Sequence, residues 1–193
     1  MDKVSSLTYV SKSQEKSLVL LGADVDPFNR ATELGTKVWY DGIFGLSWKH
    51  GDQHLARTFD ERVFAYPTPN MDSIVVIFGH DSKQYPAPDN AILLNADGTV
   101  RMRLVAPTLL SKIDPNTPGR YVLPPGKMEG PLAPLDRGLK GLASFYAASW
   151  YQDAHGRTQM KVSFYIGNTD LVEDRHFDPT TGKCMELLRT WWE

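Results

Sequence analysis

The sequence predicts a mostly β fold, a single-domain antiparallel meander that forms a sandwich or a barrel-like two-layer structure with one or two short helices. Two observations lead to this prediction. Most of the 193 residues fall in short segments that alternate or run apolar and then end at a turn signal such as Asp41-Gly42 or Asp97-Gly98, which is typical of antiparallel strands. Long stretches with helical periodicity are missing.

The predicted strands follow one another along the chain, and neighbours in sequence should be neighbours in a sheet. They are Ser17–Leu21, Lys37–Tyr40, Ile43–Lys49, His54–Phe59, Arg62–Tyr66, Ser73–Phe78, Ala91–Asn95, Thr99–Val105, Leu142–Gln152, Thr158–Ile166, Leu171–Phe177 and Lys183–Trp191.

Alternation of side chains predicts how three of these strands are buried. In AILLNADGTVRMRLV this alternation places Val100, Met102 and Leu104 on the face toward the core. In QMKVSFYI it places Lys161, Ser163 and Tyr165 on the solvent-exposed face. In SIVVIF both faces are apolar, so Ile74 to Phe78 should lie in the middle of a sheet that is covered on both sides. That arrangement requires a second layer.

Helices and loops occupy the segments between these strands. In DPFNRATELG, Asp26 suits an N-cap, Pro27 the first helical position and Gly35 the helix end, and residues 109–113 and 135–142 each offer a further turn or two. Six of the 13 prolines lie between residues 114 and 135, where they block helix and central strand alike. We interpret 114–135 as a long loop within one β-rich domain, 1–193; a linker between two domains is the alternative.

Composition excludes several classes of protein. With 41% hydrophobic and 23% charged residues the chain is typical of a folded protein, and its net charge of −2 disfavours a nucleic-acid binder. The single cysteine, Cys184, cannot form an internal disulfide and indicates a reducing compartment. No apolar stretch is as long as the apolar region of a signal peptide or as a membrane-spanning helix. We therefore expect a cytoplasmic protein that binds neither membrane nor nucleic acid.

Motifs for catalysis and cofactor binding are absent, which favours a protein without enzymatic activity and without a cofactor. The weak candidates for a metal are Asp174, His176 and Asp178, which alternate along one strand face, although polar residues at this period are also typical of a solvated face. We therefore predict no bound metal ion. A hydrolase that uses His80, next to Asp81, or His176 is the least favoured alternative function.

Aromatic residues are the main sign of a binding surface. Adjacent residues of a strand face opposite sides, so in pairs such as Trp150-Tyr151 at least one ring must enter a second layer or meet a partner. A C-terminal strand at a sheet edge would also permit a homodimer. The candidates for partner binding are Trp39, Tyr40, Trp48, Arg101, Arg103, Trp150, Tyr151, Trp191 and Trp192.

Two segments, AILLNADGTVRMRLVAP and VEDRHFDPTTGKCMELL, resemble segments of small bacterial immunity-type proteins from polymorphic or contact-dependent toxin systems. The resemblance covers under a quarter of the chain and transfers no functional residue. It implies a stoichiometric binder that neutralises a cognate toxin. The alternative function is a β-barrel or sandwich that holds a small ligand under the Pro-rich loop.

Overall fold

The computed structural model describes residues 3–14, 16–18, 42–79, 81–107, 143–166 and 171–192. Several predicted features lie outside these residues: the strand at 37–40, the helices at 26–35, 109–113 and 135–142, and the Pro-rich loop at 114–135.

The described residues form twelve strands and no helix. The strands are β1 (Val4–Ser11), β2 (Lys16–Leu18), β3 (Ile43–His50), β4 (Gln53–Thr58), β5 (Val63–Pro67), β6 (Ser73–Phe78), β7 (Ala91–Asn95), β8 (Val100–Leu104), β9 (Ala143–Gln152), β10 (Thr158–Ile166), β11 (Leu171–Asp178) and β12 (Lys183–Trp192).

These strands form three antiparallel sheets of four strands each. The N-terminal sheet has the order β2-β1-β3-β4, the central sheet β5-β6-β7-β8 and the C-terminal sheet β12-β11-β10-β9. The central and C-terminal sheets follow chain order, as a meander does. A mostly β, antiparallel and sandwich-like fold is therefore confirmed, with open sheets rather than a closed barrel.

The central sheet is packed on both of its faces. Val76 and Ile92 join a core that the N-terminal sheet completes, whereas Val75 and Leu93, their neighbours in the chain, join a second core against the C-terminal sheet. Every residue of β6 is buried, which confirms the prediction for SIVVIF. The structure thus has three layers of sheet, one more than the two that the sequence predicted.

Two details of the sequence prediction were wrong, and local irregularities in strand pairing explain both. Val100 is 45% exposed, because a register shift pairs Leu93 with Met102 but Leu94 with Val100 and so turns Val100 away from the face of Met102. Strand β1 was missed because a shift after Ser5, with Ser6 at a φ of 53°, breaks its alternation.

Candidate functional site

The outer face of the C-terminal sheet is the side that points away from the central sheet. On β10, Met160, Val162 and Phe164 enter the core, so the alternate residues Lys161 and Ser163 point outward. Residues that pair across antiparallel strands share a face. His176 and Asp174 of β11, which pair with Lys161 and Ser163, therefore share the outer face. Register extends the same face to the neighbouring strands, where it carries Tyr151 of β9, opposite Gln159, and Arg189 and Trp191 of β12, opposite Asp174 and Val172.

Asp174 is the centre of a hydrogen-bond network on this face. Its Oδ1 accepts hydrogen bonds from Ser163 Oγ at 2.6 Å and from Trp191 Nε1 at 3.1 Å. Its Oδ2 accepts hydrogen bonds from Lys161 Nζ at 3.0 Å and from Arg189 Nε at 2.6 Å. Strands β10 and β12, on either side of β11, supply all four donors.

The carboxylate of Asp174 is held in its charged form although its side chain is only 1% exposed. Burial by itself would raise its pKa, but hydrogen bonds from Ser163, Trp191 and Arg189 and the charge of Lys161 lower the pKa below its ordinary value of 3.8. A buried, ionised and fully bonded carboxylate fixes the side chains around it, so this part of the face is rigid.

A second pair on the outer face joins β9 to β11. Tyr151 Oη lies 2.8 Å from His176 Nδ1, and the two rings meet edge to face with centres 6.1 Å apart. Burial, followed by the charges of Glu186 and Asp153, raises the pKa of Tyr151 above 10.0, so its hydroxyl stays protonated at neutral pH.

Arg189 is the most accessible member of the network, with a side chain that is 59% exposed. Its Nε is bonded to Asp174, and its guanidinium carbon lies 5.7 Å from the centre of the Trp191 ring. The guanidinium is therefore oriented by an ion pair and an aromatic ring while it remains in contact with solvent.

The opposite face of the same sheet carries a buried ion pair. On β11, Glu173 and Arg175 lie opposite Phe164 and Val162 of β10, which are core residues. Arg175 Nη2 lies 2.8 Å from Glu173 Oε2. The two side chains are 0% and 3% exposed. A buried pair of this kind serves structure and is not available to a partner.

The metal candidates are not brought together in a metal site. Asp174 accepts the four hydrogen bonds described above, His176 contacts Tyr151, and Asp178 accepts hydrogen bonds from Thr180 N at 2.8 Å and Thr181 Oγ1 at 2.7 Å in the turn before β12. Within the part of the chain that the structure describes, no three His, Cys, Asp or Glu side chains form a group suited to a metal ion.

Two of the tryptophans proposed as partner-binding residues serve the cores. Trp48 is buried, and its Nε1 donates to the Ala96 carbonyl at 2.7 Å. Trp150 packs against the core of the C-terminal sheet and donates through Nε1 to the Pro67 carbonyl at 2.7 Å, which ties this sheet to β5. Neither ring lies on the outer face.

The other predicted candidates are dispersed. Arg101 and Arg103 are exposed on β8, where Arg101 Nη2 donates to the Thr180 carbonyl at 3.0 Å and Arg103 Nε donates to the Asp89 carbonyl at 3.2 Å. Only the strand position of Trp192, at the end of β12, is described. Three further candidates lie outside the described residues: Trp39, Tyr40 and His80.

A cleft of about 250 Å³ opens at a different place, beside β4 and the turn between β7 and β8. It is smaller than the roughly 300–1,000 Å³ of common small-molecule sites. The ligand site proposed under the Pro-rich loop lies outside the described residues. The residues that line the cleft are Trp48, Leu55, Ala56, Arg57, Asp97 and Gly98.

Of the predicted partner-binding residues, Tyr151 and Trp191 both lie on the outer face, on the two edge strands of the sheet. Sequence reasoning did not assign Lys161, Ser163 and Arg189 to this surface. The alternation of QMKVSFYI correctly placed Lys161 and Ser163 opposite the core residues, but Ser163 is buried beside Asp174 and not solvent-exposed as predicted. The alternation also did not indicate which carboxylate would bind them. Arg189 had one available signal, its position two residues before Trp191 on the same strand face.

Cys184 lies beside this sheet's core, and its thiol should be unreactive. Burial raises the pKa of the thiol to about 12, although the charge of Arg175 works in the opposite direction. Because the thiolate is the reactive form, we expect the native chain to react with a disulfide reagent at about pH 8 at least about a hundredfold more slowly than the chain in denaturant. Equal rates in the two conditions would contradict this assignment.

The fold has a counterpart among solved structures. No protein-family model and no curated protein sequence matches the chain. A chain of "Structure of Tne2 in complex with Tni2" aligns with a TM-score of 0.58 and 9% sequence identity, over 96% of this chain and 98% of that chain. At that identity the likeness establishes a shared fold. Among the described residues there is no helix with the length and apolar character to span a membrane.

Proposed function

We propose that this chain is a non-enzymatic binding protein of the immunity type, which acts in the bacterial cytoplasm and neutralises a cognate toxin by binding it. The observation that carries the proposal is the outer face of the C-terminal sheet, where Tyr151, Arg189 and Trp191 are held in place by hydrogen bonds to His176 and Asp174. We propose this face as the toxin-binding surface.

Tryptophan, tyrosine and arginine are the residue types that contribute most to protein–protein affinity. Their contribution increases when they are already ordered in the free protein, because less conformational entropy is then lost on binding. The bonds from Arg189 and Trp191 to Asp174 provide such order. The described part of the outer face therefore has the composition and the rigidity of a binding surface.

The resemblances support the same function. The segment VEDRHFDPTTGKCMELL, which resembles immunity-type proteins, covers nearly all of β11, the strand that carries Asp174 and His176, and continues into β12. The solved structure with a similar fold is a complex of two proteins. Both points are consistent with a chain that works by binding another protein.

The chemistry of the outer face also favours binding over catalysis. The hydroxyl of Ser163 donates to Asp174, and the lowered pKa of that carboxylate makes it a weak base. His176 Nδ1 is engaged by the Tyr151 hydroxyl. This supports a binder over the hydrolase alternative based on His176.

The decisive experiment is co-expression with the toxin domain encoded in the adjacent reading frame. We expect this chain to restore growth of cells that produce the toxin, and we expect the two purified proteins to form a 1:1 or 2:2 complex in size-exclusion chromatography with light scattering. A catalytically inactive toxin variant serves as the control, because it should still bind. Failure to rescue growth, together with absence of a complex, would refute the proposed function.

The same light-scattering measurement tests the homodimer predicted through the C-terminal strand. Two register shifts disturb the pairing of β11 with β12, one between Asp174 and Arg175 and one between Arg175 and Phe177. Bulges of this kind twist an edge strand and make it a poor template for another strand. We therefore propose that the partner binds the face of the sheet and that the free protein is a monomer.

A further inference from the structure

We infer that Arg189 recognises a carboxylate, the side chain of an aspartate or glutamate on the surface of the partner protein. This inference rests on the proposed function and adds the chemistry of the partner. It concerns one side chain and can fail while the proposed function stands.

The geometry of Arg189 is that of a prepared anion receptor. Arginine presents five N–H donors in a planar fork that matches the two oxygens of a carboxylate. Here Asp174 binds Nε, the Trp191 ring lies beside the guanidinium, and the side chain is 59% exposed. The edge that carries the terminal amino groups is the part of the fork that does not take part in the bond to Asp174.

Local charge favours an anionic partner group at this position. Lys161 and Arg189, two cations, share the single buried carboxylate of Asp174. Among the described residues of this hydrogen-bond network, one positive charge is therefore left over, and its accessible carrier is Arg189. The nearest described acid on the same strand, Glu186, is close enough to Tyr151 for its negative charge to raise the pKa of that hydroxyl. A partner carboxylate would neutralise the surplus charge.

Binding also gains from the fixed position of the guanidinium. A long exposed side chain normally loses rotamer freedom when it is immobilised in an interface. The ion pair to Asp174 at 2.6 Å has already restricted Arg189 in the free protein. The loss of Arg189 should therefore weaken binding more than the loss of an ordinary exposed arginine at the rim of an interface.

The test compares the affinities of Arg189→Gln and Arg189→Lys for the inactive toxin domain from the adjacent reading frame, measured by calorimetry. We expect Arg189→Gln to bind about thirtyfold or more weakly than the original chain. Arg189→Lys keeps the positive charge but loses the forked guanidinium group, so its affinity should lie between that of the original chain and that of Arg189→Gln. The affinity of the original chain should decrease with added salt more steeply than that of Arg189→Gln.

The matched control is Arg157→Gln. Arg157 is also exposed and also donates through Nε to an aspartate, Asp153 at 2.8 Å, but it lies in the turn between β9 and β10. Circular dichroism checks that each variant is folded. If Arg189→Gln does not fold, Arg189→Lys still tests the inference, because it keeps a positive charge beside Asp174. Equal affinity of the Arg189 variants and the control would overturn the inference and leave the proposed function intact. Failure of the unchanged chain to bind refutes the proposed function instead.

Discussion

Replacing Ile92 or Leu93 by alanine is expected to lower the free energy of unfolding by about 2–5 kcal/mol in each case. The two residues are neighbours on β7 and both are fully buried. Ile92 packs in the core against the N-terminal sheet, and Leu93 packs in the core against the C-terminal sheet. Each substitution therefore leaves a cavity in a different core.

Urea denaturation of the two single variants measures these losses. Val100→Ala, on the adjacent strand β8, is the control: its side chain is half-exposed, and the change should be below about 1 kcal/mol. In a two-layer sandwich one of the two neighbours would face solvent and its substitution would have almost no effect. A large loss for one variant and almost none for the other would thus contradict the three-layer arrangement.

The three-layer arrangement explains where a binding surface can form. The central sheet packs both of its faces into cores, and the exposed side chains Val100, Arg101 and Arg103 lie on its edge strand β8. Among the three described sheets, the two flanking sheets each have a face that no other sheet covers, and on the C-terminal sheet this outer face carries Asp174, Arg189 and Trp191. The apolar run SIVVIF thus bears on the proposed function, since it buries the middle of the central sheet and is consistent with a binding surface on an outer layer.

The strand pattern could be predicted from the sequence because burial imposes a period of two. The bounds of β6, β7 and β10 agree with the predicted segments to the residue. Prediction failed where a bulge changes the period, as at Ser6 in β1 and at Val100 in β8. A bulge depends on pairing with another strand, which local sequence does not reveal.

The candidate site was only partly predictable for a similar reason. Alternation correctly set Asp174 and His176 on one face and identified Tyr151 and Trp191 as rings of interest. The bond between Asp174 and Arg189 joins residues 15 positions apart on paired strands. That bond depends on the register of β11 with β12, which includes two shifts. Alternation within a single strand cannot predict such a register.

Removal of the Asp174 carboxylate is expected to have a comparably large effect on the C-terminal sheet. In Asp174→Ala the buried hydroxyl of Ser163 and the ring nitrogen of Trp191 lose their acceptor. Lys161 and Arg189 lose their counter-charge, although Arg189 remains hydrated. We expect the free energy of unfolding at about pH 7 to fall by roughly 2–4 kcal/mol. Asp174→Asn keeps one oxygen acceptor and should lose less.

The pH dependence of this loss distinguishes the charge of Asp174 from its shape. The pKa of the native carboxylate lies below the ordinary value of 3.8, so the folded state binds a proton less readily than the unfolded chain does. The stability that the carboxylate contributes is thus fully present above pH 3.8 and is lost as the pH falls through the lower native pKa.

The difference in unfolding free energy between the original chain and Asp174→Asn should therefore shrink between about pH 7 and pH 2. Urea titrations at a series of pH values measure this difference. The contributions of the other acidic side chains cancel, because both proteins contain the same ones. Asp52→Asn, at an exposed position in the turn between β3 and β4, is the control. A difference between the original chain and Asp174→Asn that stays constant across this range would show that Asp174 acts through packing and not through its charge.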